Sequence, residues 1–105
     1  MTYQEQLLTL EWSELRFKIL VRDLFMCQFC DSHNMLNVHH LFYIKNRMAW
    51  EYNQNMLITL CSIHHKLEHK SLLILKDYNI KEQLTSGMLA MDIIIKINEE
   101  EQVYF

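Results

Sequence analysis

The sequence predicts a small α+β domain, and three observations carry that prediction. Two short apolar runs of strand character, "LNVHH" and "MLITLC", lie between two segments with helical periodicity. Two half-sites of metal-ligand type, Cys27-x-x-Cys30 and Cys61-x-x-His64, accompany those runs. The 105 residues include one Gly and no Pro, which favours regular elements over long irregular linkers. This length suits one domain, 1–105, with a core of modest size.

The first nine residues read as a frayed lead-in. From Thr9 to Leu24 the pattern is helical. Thr9 is the expected N-cap, Glu11 and Glu14 suit the positive end of the helix dipole, and Trp12, Leu15, Ile19 and Leu20 share one face. Arg16 and Arg22 fit a solvated helix face or a phosphate contact equally well. "CQFC" is a tight turn with two thiols, and "DSHN" is a loop. "LNVHH" follows as a strand, so its neighbours His39 and His40 point to opposite faces. Residues 41–54 form a loop rich in aromatic groups, and Met56–Cys61 is the second strand. Ser62 is the expected N-cap of a helix over "SIHHKLEHKSLLIL", which puts His65 and His69 on one face. Beyond it, Ile80, Leu84, Met88, Met91 and Ile95 recur at helical spacing. Gly87 is expected to break that pattern, and "DIIIKI" is open to strand or helix.

Composition narrows the function classes. Half the residues are hydrophobic and 22% are charged, as in ordinary globular proteins. No apolar run has the length of a membrane span, so no membrane partner is expected. "MTYQEQLLTLEW" lacks the basic region of a secretory signal, and the chain is read as cytoplasmic. The net charge is −3. Residues 1–70 balance seven Lys/Arg against seven Asp/Glu, whereas 71–105 hold three against six. A tight autonomous DNA binder normally carries a basic footprint, and this sequence does not. Bound cations would add positive charge that the residue count misses.

Three cysteines make a poor disulfide framework, and metal or redox use is favoured. Cys27, Cys30, Cys61 and His64 supply the donor set of a structural Zn²⁺, with His65 competing for the fourth place. His33 lies in a polar loop and is assigned nothing. His39, His40, His65 and His69 fall at the end of one strand and on the helix after the next. Packed together they make a second site, in which imidazoles hold a divalent metal and one remains free as a general base.

The stretch "RDLFMCQFC … LNVHH … WEYNQNMLITLCSIHHKLEH" resembles an HNH endonuclease of the ββα-metal (His-Me finger) superfamily, in the small bacterial and phage form built on a zinc knuckle pair. The resemblance covers residues 12–69 as a nuclease core and leaves 71–105 as an acidic C-terminal extension. It implies a ββα-metal core with an N-terminal helix. It places His39 and His65, with His69 one turn on, as ligands of a catalytic Mg²⁺, Mn²⁺, Ni²⁺ or Zn²⁺. It makes His40 the general base, and Asn55 the residue that braces the loop and orients the base. Cys27, Cys30 and Cys61 match the zinc knuckles, and His64 departs from the family's fourth cysteine. The implied reaction is hydrolysis of phosphodiester bonds in double-stranded DNA.

Lys45, Arg47, Lys66 and Lys70 flank this site, as phosphate contacts or as solvated charges. Asp23 and Glu68 are read as structural or solvated, and Trp50, Glu51 and Tyr52 as loop anchors. The acidic extension suits dimerisation or a protein partner. Two other readings stand beside the nuclease: a catalytically silent, zinc-stabilised module that binds nucleic acid or protein, and a thiol redox protein using Cys27 and Cys30. The second leaves the histidines unexplained.

Overall fold

The computed structural model describes residues 1–76, 83–84 and 87–103, the last four as backbone only. It is a small mixed α+β fold around a two-stranded antiparallel sheet. In chain order the elements are α1 (Tyr3–Gln6), α2 (Leu10–Arg22), β1 (Leu36–His40), a 3-10 turn (Gln54–Met56), β2 (Leu57–Cys61), α3 (Ser62–Ile74) and α4 (Ala90–Val103). Among the described residues no helix is long and apolar enough to cross a membrane.

The lead-in is not frayed. Thr2 Oγ1 accepts the Glu5 amide at 3.2 Å, and Glu5 Oε1 accepts the Thr2 amide at 3.3 Å. This reciprocal capping box satisfies two otherwise unpaired amides and holds the single turn of α1. α2 begins where expected, with Thr9 Oγ1 accepting the Trp12 amide at 3.2 Å. It ends without a glycine. Leu24 and Phe25 take left-handed φ angles of 58° and 52°, an arrangement that costs about 1–2 kcal/mol per residue. Side-chain contacts hold the turn. Gln28 Nε2 donates to the carbonyls of Asp23 and Met26, both at 2.9 Å.

β1 and β2 pair in one register, Leu36 with Cys61 through to His40 with Leu57. Directly paired residues share a face. Val38 and Leu57 face α2 and form a core with Trp12, Ile19, Leu20, Ala49 and Tyr52. Leu60, on the other face, packs with Cys27, Leu41, Leu89 and Met91. The helix after β2 starts one position off expectation. Cys61, still extended from the strand, is its cap residue and makes no capping bond, so Ser62 is already helical.

The C-terminal segment resolves the strand-or-helix choice as helix α4. Gly87 has φ +94°, where an L side chain would be strained. The buried stripe differs from the predicted one. Ala90, Met91 and Ile93 are buried while Ile95 is 45% exposed, and Ile80 lies outside the described residues. Glu68 explains the placement of α4. Its carboxylate is fully buried and accepts the Ala90 amide at 2.8 Å and the Met91 amide at 3.0 Å. An acid at a helix N-terminus satisfies orphan donors and meets the positive end of the dipole. Burial nevertheless pushes the Glu68 carboxyl above the usual carboxylate range.

Arg22 and Asp23 fasten α2 to β2. The guanidinium forks onto the Asp23 carboxylate at 2.8 and 2.9 Å and donates to the carbonyls of Gln54 and Leu57. Asp23 Oδ2 accepts the Thr59 amide at 2.9 Å. Arg22 is therefore a structural clamp and not a phosphate contact. Burial raises the Asp23 carboxyl, but Arg22 and the Thr59 amide outweigh it and hold the group below its ordinary value. The folded pKa is thus lower than the unfolded one. The stabilisation is complete above about pH 4 and is lost as pH falls through the folded value. Asp23→Ala is expected to cost about 2–3 kcal/mol, by loss of charged hydrogen bonds. Thermal melts between pH 7 and pH 2 should show the parent's advantage over this variant shrinking in acid.

Candidate active site

Four ligand atoms meet at the open end of the hairpin, where the chain enters β1 and leaves β2. Cys27 and Cys30 come from the turn after α2, Cys61 from the end of β2, and His64 from the first turn of α3. The turn is folded by Cys27, whose amide donates to the Ser32 carbonyl and whose carbonyl accepts the Asp31 amide, both at 2.8 Å. Asp31 takes φ +65°, a conformation that Asp tolerates better than most residues. The Gln28 amide ties the turn to the Thr59 carbonyl at 3.0 Å.

Tetrahedral zinc requires S···S edges of about 3.8 Å and S···N edges of about 3.6 Å, given its usual bond lengths. Cys30 Sγ and Cys61 Sγ are 3.8 Å apart. His64 Nδ1 lies 3.9 Å from Cys27 Sγ and 3.2 Å from Cys61 Sγ. The Cys₃His cluster is compatible with a structural metal such as zinc, and the competition between His64 and His65 is decided for His64. Phe29 covers its imidazole at 4.6 Å between centroids.

His65 belongs to a second cluster. Its Nε2 is 3.0 Å from His69 Nε2 on the next turn, and both rings stand 5.1 Å from the ring of His39. The ligand atoms of all three lie within 4.8 Å of one another. A hydrogen bond accounts for the His65–His69 pair, but nothing accounts for His39. That side chain is 1% exposed, and neither ring nitrogen has a partner. A buried imidazole without a hydrogen bond costs free energy unless something else meets its lone pair. Burial first, and then the neighbouring His65 and His69, push His39 down to about pKa 3. It is therefore neutral at pH 7, as a metal ligand must be. The donor set and the orphaned nitrogens fit a divalent metal.

His40 faces the other way, as the strand pleat requires. Its ring stacks on Trp12 at 5.1 Å and on Tyr43 at 5.3 Å, with Tyr52 edge-on at 4.7 Å. Nε2 lies 2.9 Å from the Ala49 carbonyl. A carbonyl only accepts, so Nε2 carries the proton and Nδ1 presents a lone pair. Tyr3 Oη lies 3.3 Å from that nitrogen and 3.4 Å from Tyr43 Oη. Gln6 Oε1 accepts the Ala49 amide at 2.7 Å. α1 thus touches His40 directly and also steadies the residue that orients it. The loop is fixed further by Tyr52 Oη, which accepts the Ile44 amide at 2.9 Å, and by Glu51, which accepts the Met48 amide at 3.0 Å.

Asn55 does not take its expected place. It stands exposed on the 3-10 turn with no side-chain hydrogen bond among the described residues. The carbonyl of Ala49 and three aromatic rings hold His40 instead. The expected cations also stand apart. Lys45, Arg47, Lys66 and Lys70 are all exposed, and Arg47 lies over the Tyr52 ring at 5.9 Å. None lines the cleft of about 300 Å³ that opens beside His65 and His69, whereas Arg16 and Asn37 do. Tyr3 and Tyr43 form part of its wall. Tyr3 was legible in the T-x-x-E pattern of Thr2 and Glu5, which announces a helix start. Comparisons with protein-family models, curated proteins and solved structures return no match.

Zinc content tests the first cluster. The purified chain is expected to carry one zinc on Cys27, Cys30, Cys61 and His64. Cys61→Ala should lose it and lose cooperative unfolding, because a structural zinc contributes about 10 kcal/mol or more in small zinc domains. Metal analysis beside circular dichroism reads both effects.

Proposed function

We propose that this chain is a metal-dependent endonuclease of the HNH type, with a ββα-metal core formed by β1, β2 and α3. The orphaned ring of buried His39, facing His65 and His69 while His40 turns to the opposite face with its Nδ1 lone pair met only by the Tyr3 hydroxyl, supports this reading above all. The substrate class is DNA.

Each residue has a role that its surroundings permit. His39, His65 and His69 would hold the divalent ion. That ion supplies charge stabilisation to the phosphate and to the departing 3′ oxygen. His40 takes a proton from the attacking water at Nδ1, while its Nε2–H stays donated to the Ala49 carbonyl throughout. Burial holds His40 below its ordinary value, so it is neutral at pH 7 and able to act as a base. Trp12, Tyr43 and Tyr52 fix the ring plane, which keeps the lone pair aimed. Tyr3 stands on that lone pair, so its hydroxyl must yield the place to water before the base can work.

A second reading is the silent binding module stabilised by zinc. The exposure of Asn55 and the cover of Tyr3 over His40 favour it.

Supercoiled plasmid with Mg²⁺, Mn²⁺ or Ni²⁺ separates the two. The parent is expected to nick or linearise it. His40→Ala should lower the rate by about two to four orders of magnitude, the range of general-base catalysis, with zinc content unchanged. His65→Ala, at a half-buried position, should abolish the response to added divalent metal without disturbing the core. A folded, zinc-loaded parent that cuts nothing with any metal leaves the silent module standing. Tyr3→Phe keeps the ring and removes the competing hydroxyl. It should raise turnover about two- to tenfold, the equivalent of one net hydrogen bond.

A further inference from the structure

We propose that Arg16 is the phosphate anchor of the cleft, seating one backbone phosphate of a bound nucleic acid beside His65 and His69. This rests on the nuclease reading for the reaction, but not for the binding. Arg16 follows Trp12 by one helical turn on α2, and both side chains line the cleft. Among the described residues it is the only Lys or Arg in that lining, and none of them is Asp or Glu. Arg16 is half-buried, and among the described residues its guanidinium makes one hydrogen bond, Nη2 to the Leu36 carbonyl at 3.5 Å. An arginine carries five N–H donors in a fork that matches a phosphate. Most of that capacity is unspent here, and Arg16 has no ion-pair partner among the described residues. Arg22, on the same helix, is by contrast fully engaged by Asp23 and two carbonyls.

The cleft volume, about 300 Å³, is at the low end for ligand sites and suits one phosphate with its sugar. Asn37 adds an amide donor on the same wall. Residues 1–70 hold seven Lys/Arg against seven Asp/Glu, so no excess of positive charge in this region competes with this one site. Affinity concentrated in one guanidinium fork has a signature. Binding should depend on salt only weakly, and loss of Arg16 should remove about one ion from the slope of log K against log salt.

The test is fluorescence anisotropy of a labelled DNA duplex, with zinc-loaded protein and no added divalent metal, across a KCl series. Arg16→Ala should weaken binding about tenfold and reduce the salt slope by about one. Arg16→Lys should restore the slope, because it keeps the charge. Lys66→Ala should weaken binding less than threefold. Zinc content and circular dichroism establish that each variant is folded. The proposal fails if Arg16→Ala binds like the parent, if Lys66→Ala loses as much, or if the parent does not bind the duplex. Plasmid cleavage tells this failure from that of the nuclease reading. A parent that binds through Arg16 but never cuts retains the anchor and loses the nuclease. A parent that cuts, with Arg16→Ala matching its KM and kcat, retains the nuclease and loses the anchor.

Discussion

The meeting of Cys27, Cys30, Cys61 and His64 is the constraint on which the rest of the molecule depends. It joins the turn after α2 to the end of β2 and the first turn of α3. Three hydrophobic clusters of four to seven buried residues make up the described core, which is small. A domain of this size has about 5–15 kcal/mol of net stability, and a structural zinc contributes a comparable amount. The cluster also fixes a direction. With His64 held against the thiols, the rotation of α3 about its axis is set, and His65 and His69 are carried to the side where β1 presents His39.

Two pairs of adjacent histidines are divided by two different geometries. His39 and His40 part because a strand alternates its side chains across the sheet. His64 and His65 part because successive residues of a helix point about 100° apart. Four imidazoles therefore reach three environments: a thiol cluster, a three-histidine cluster and an aromatic box. No insertion or special turn is needed. Chemical separation follows from secondary structure alone, which is how two short elements, β1 and α3, can serve so many roles.

Most of the backbone was legible in the sequence because local signals agreed. Thr9 announced α2, "LNVHH" and "MLITLC" announced the strands, and the spacing of Cys and His announced the clusters. The misreadings have separate causes. α1 is one turn long and buries nothing, so no periodicity marks it, and only its capping box does. "DIIIKI" carries β-branched residues, but the Glu68 carboxylate and the packing of Ala90 and Ile93 override that preference. Exposure at the cleft depends on how α2 lies across the sheet. One-dimensional proximity to His39 and His65 therefore selected Lys45, Arg47, Lys66 and Lys70, and left Arg16 undecided. Asn55 lines up with a motif position, yet its neighbour in space is solvent. A letter in a pattern carries no information about which carbonyl, here that of Ala49, reaches the imidazole first.

If both clusters take up metal, the adjacency of His64 and His65 would couple them thermodynamically. The rotational freedom of the first turn of α3 is surrendered once, when the thiol cluster closes. An ion arriving at His39, His65 and His69 then meets ligands already in place and avoids that entropic penalty. Linkage is reciprocal, so the second ion would in turn raise the affinity for the first by the same factor. Loading would be ordered, with the soft-ligand cluster filled before the all-imidazole one. Scarcity of the first ion would then lower occupancy at His39, His65 and His69 as well as at the thiols.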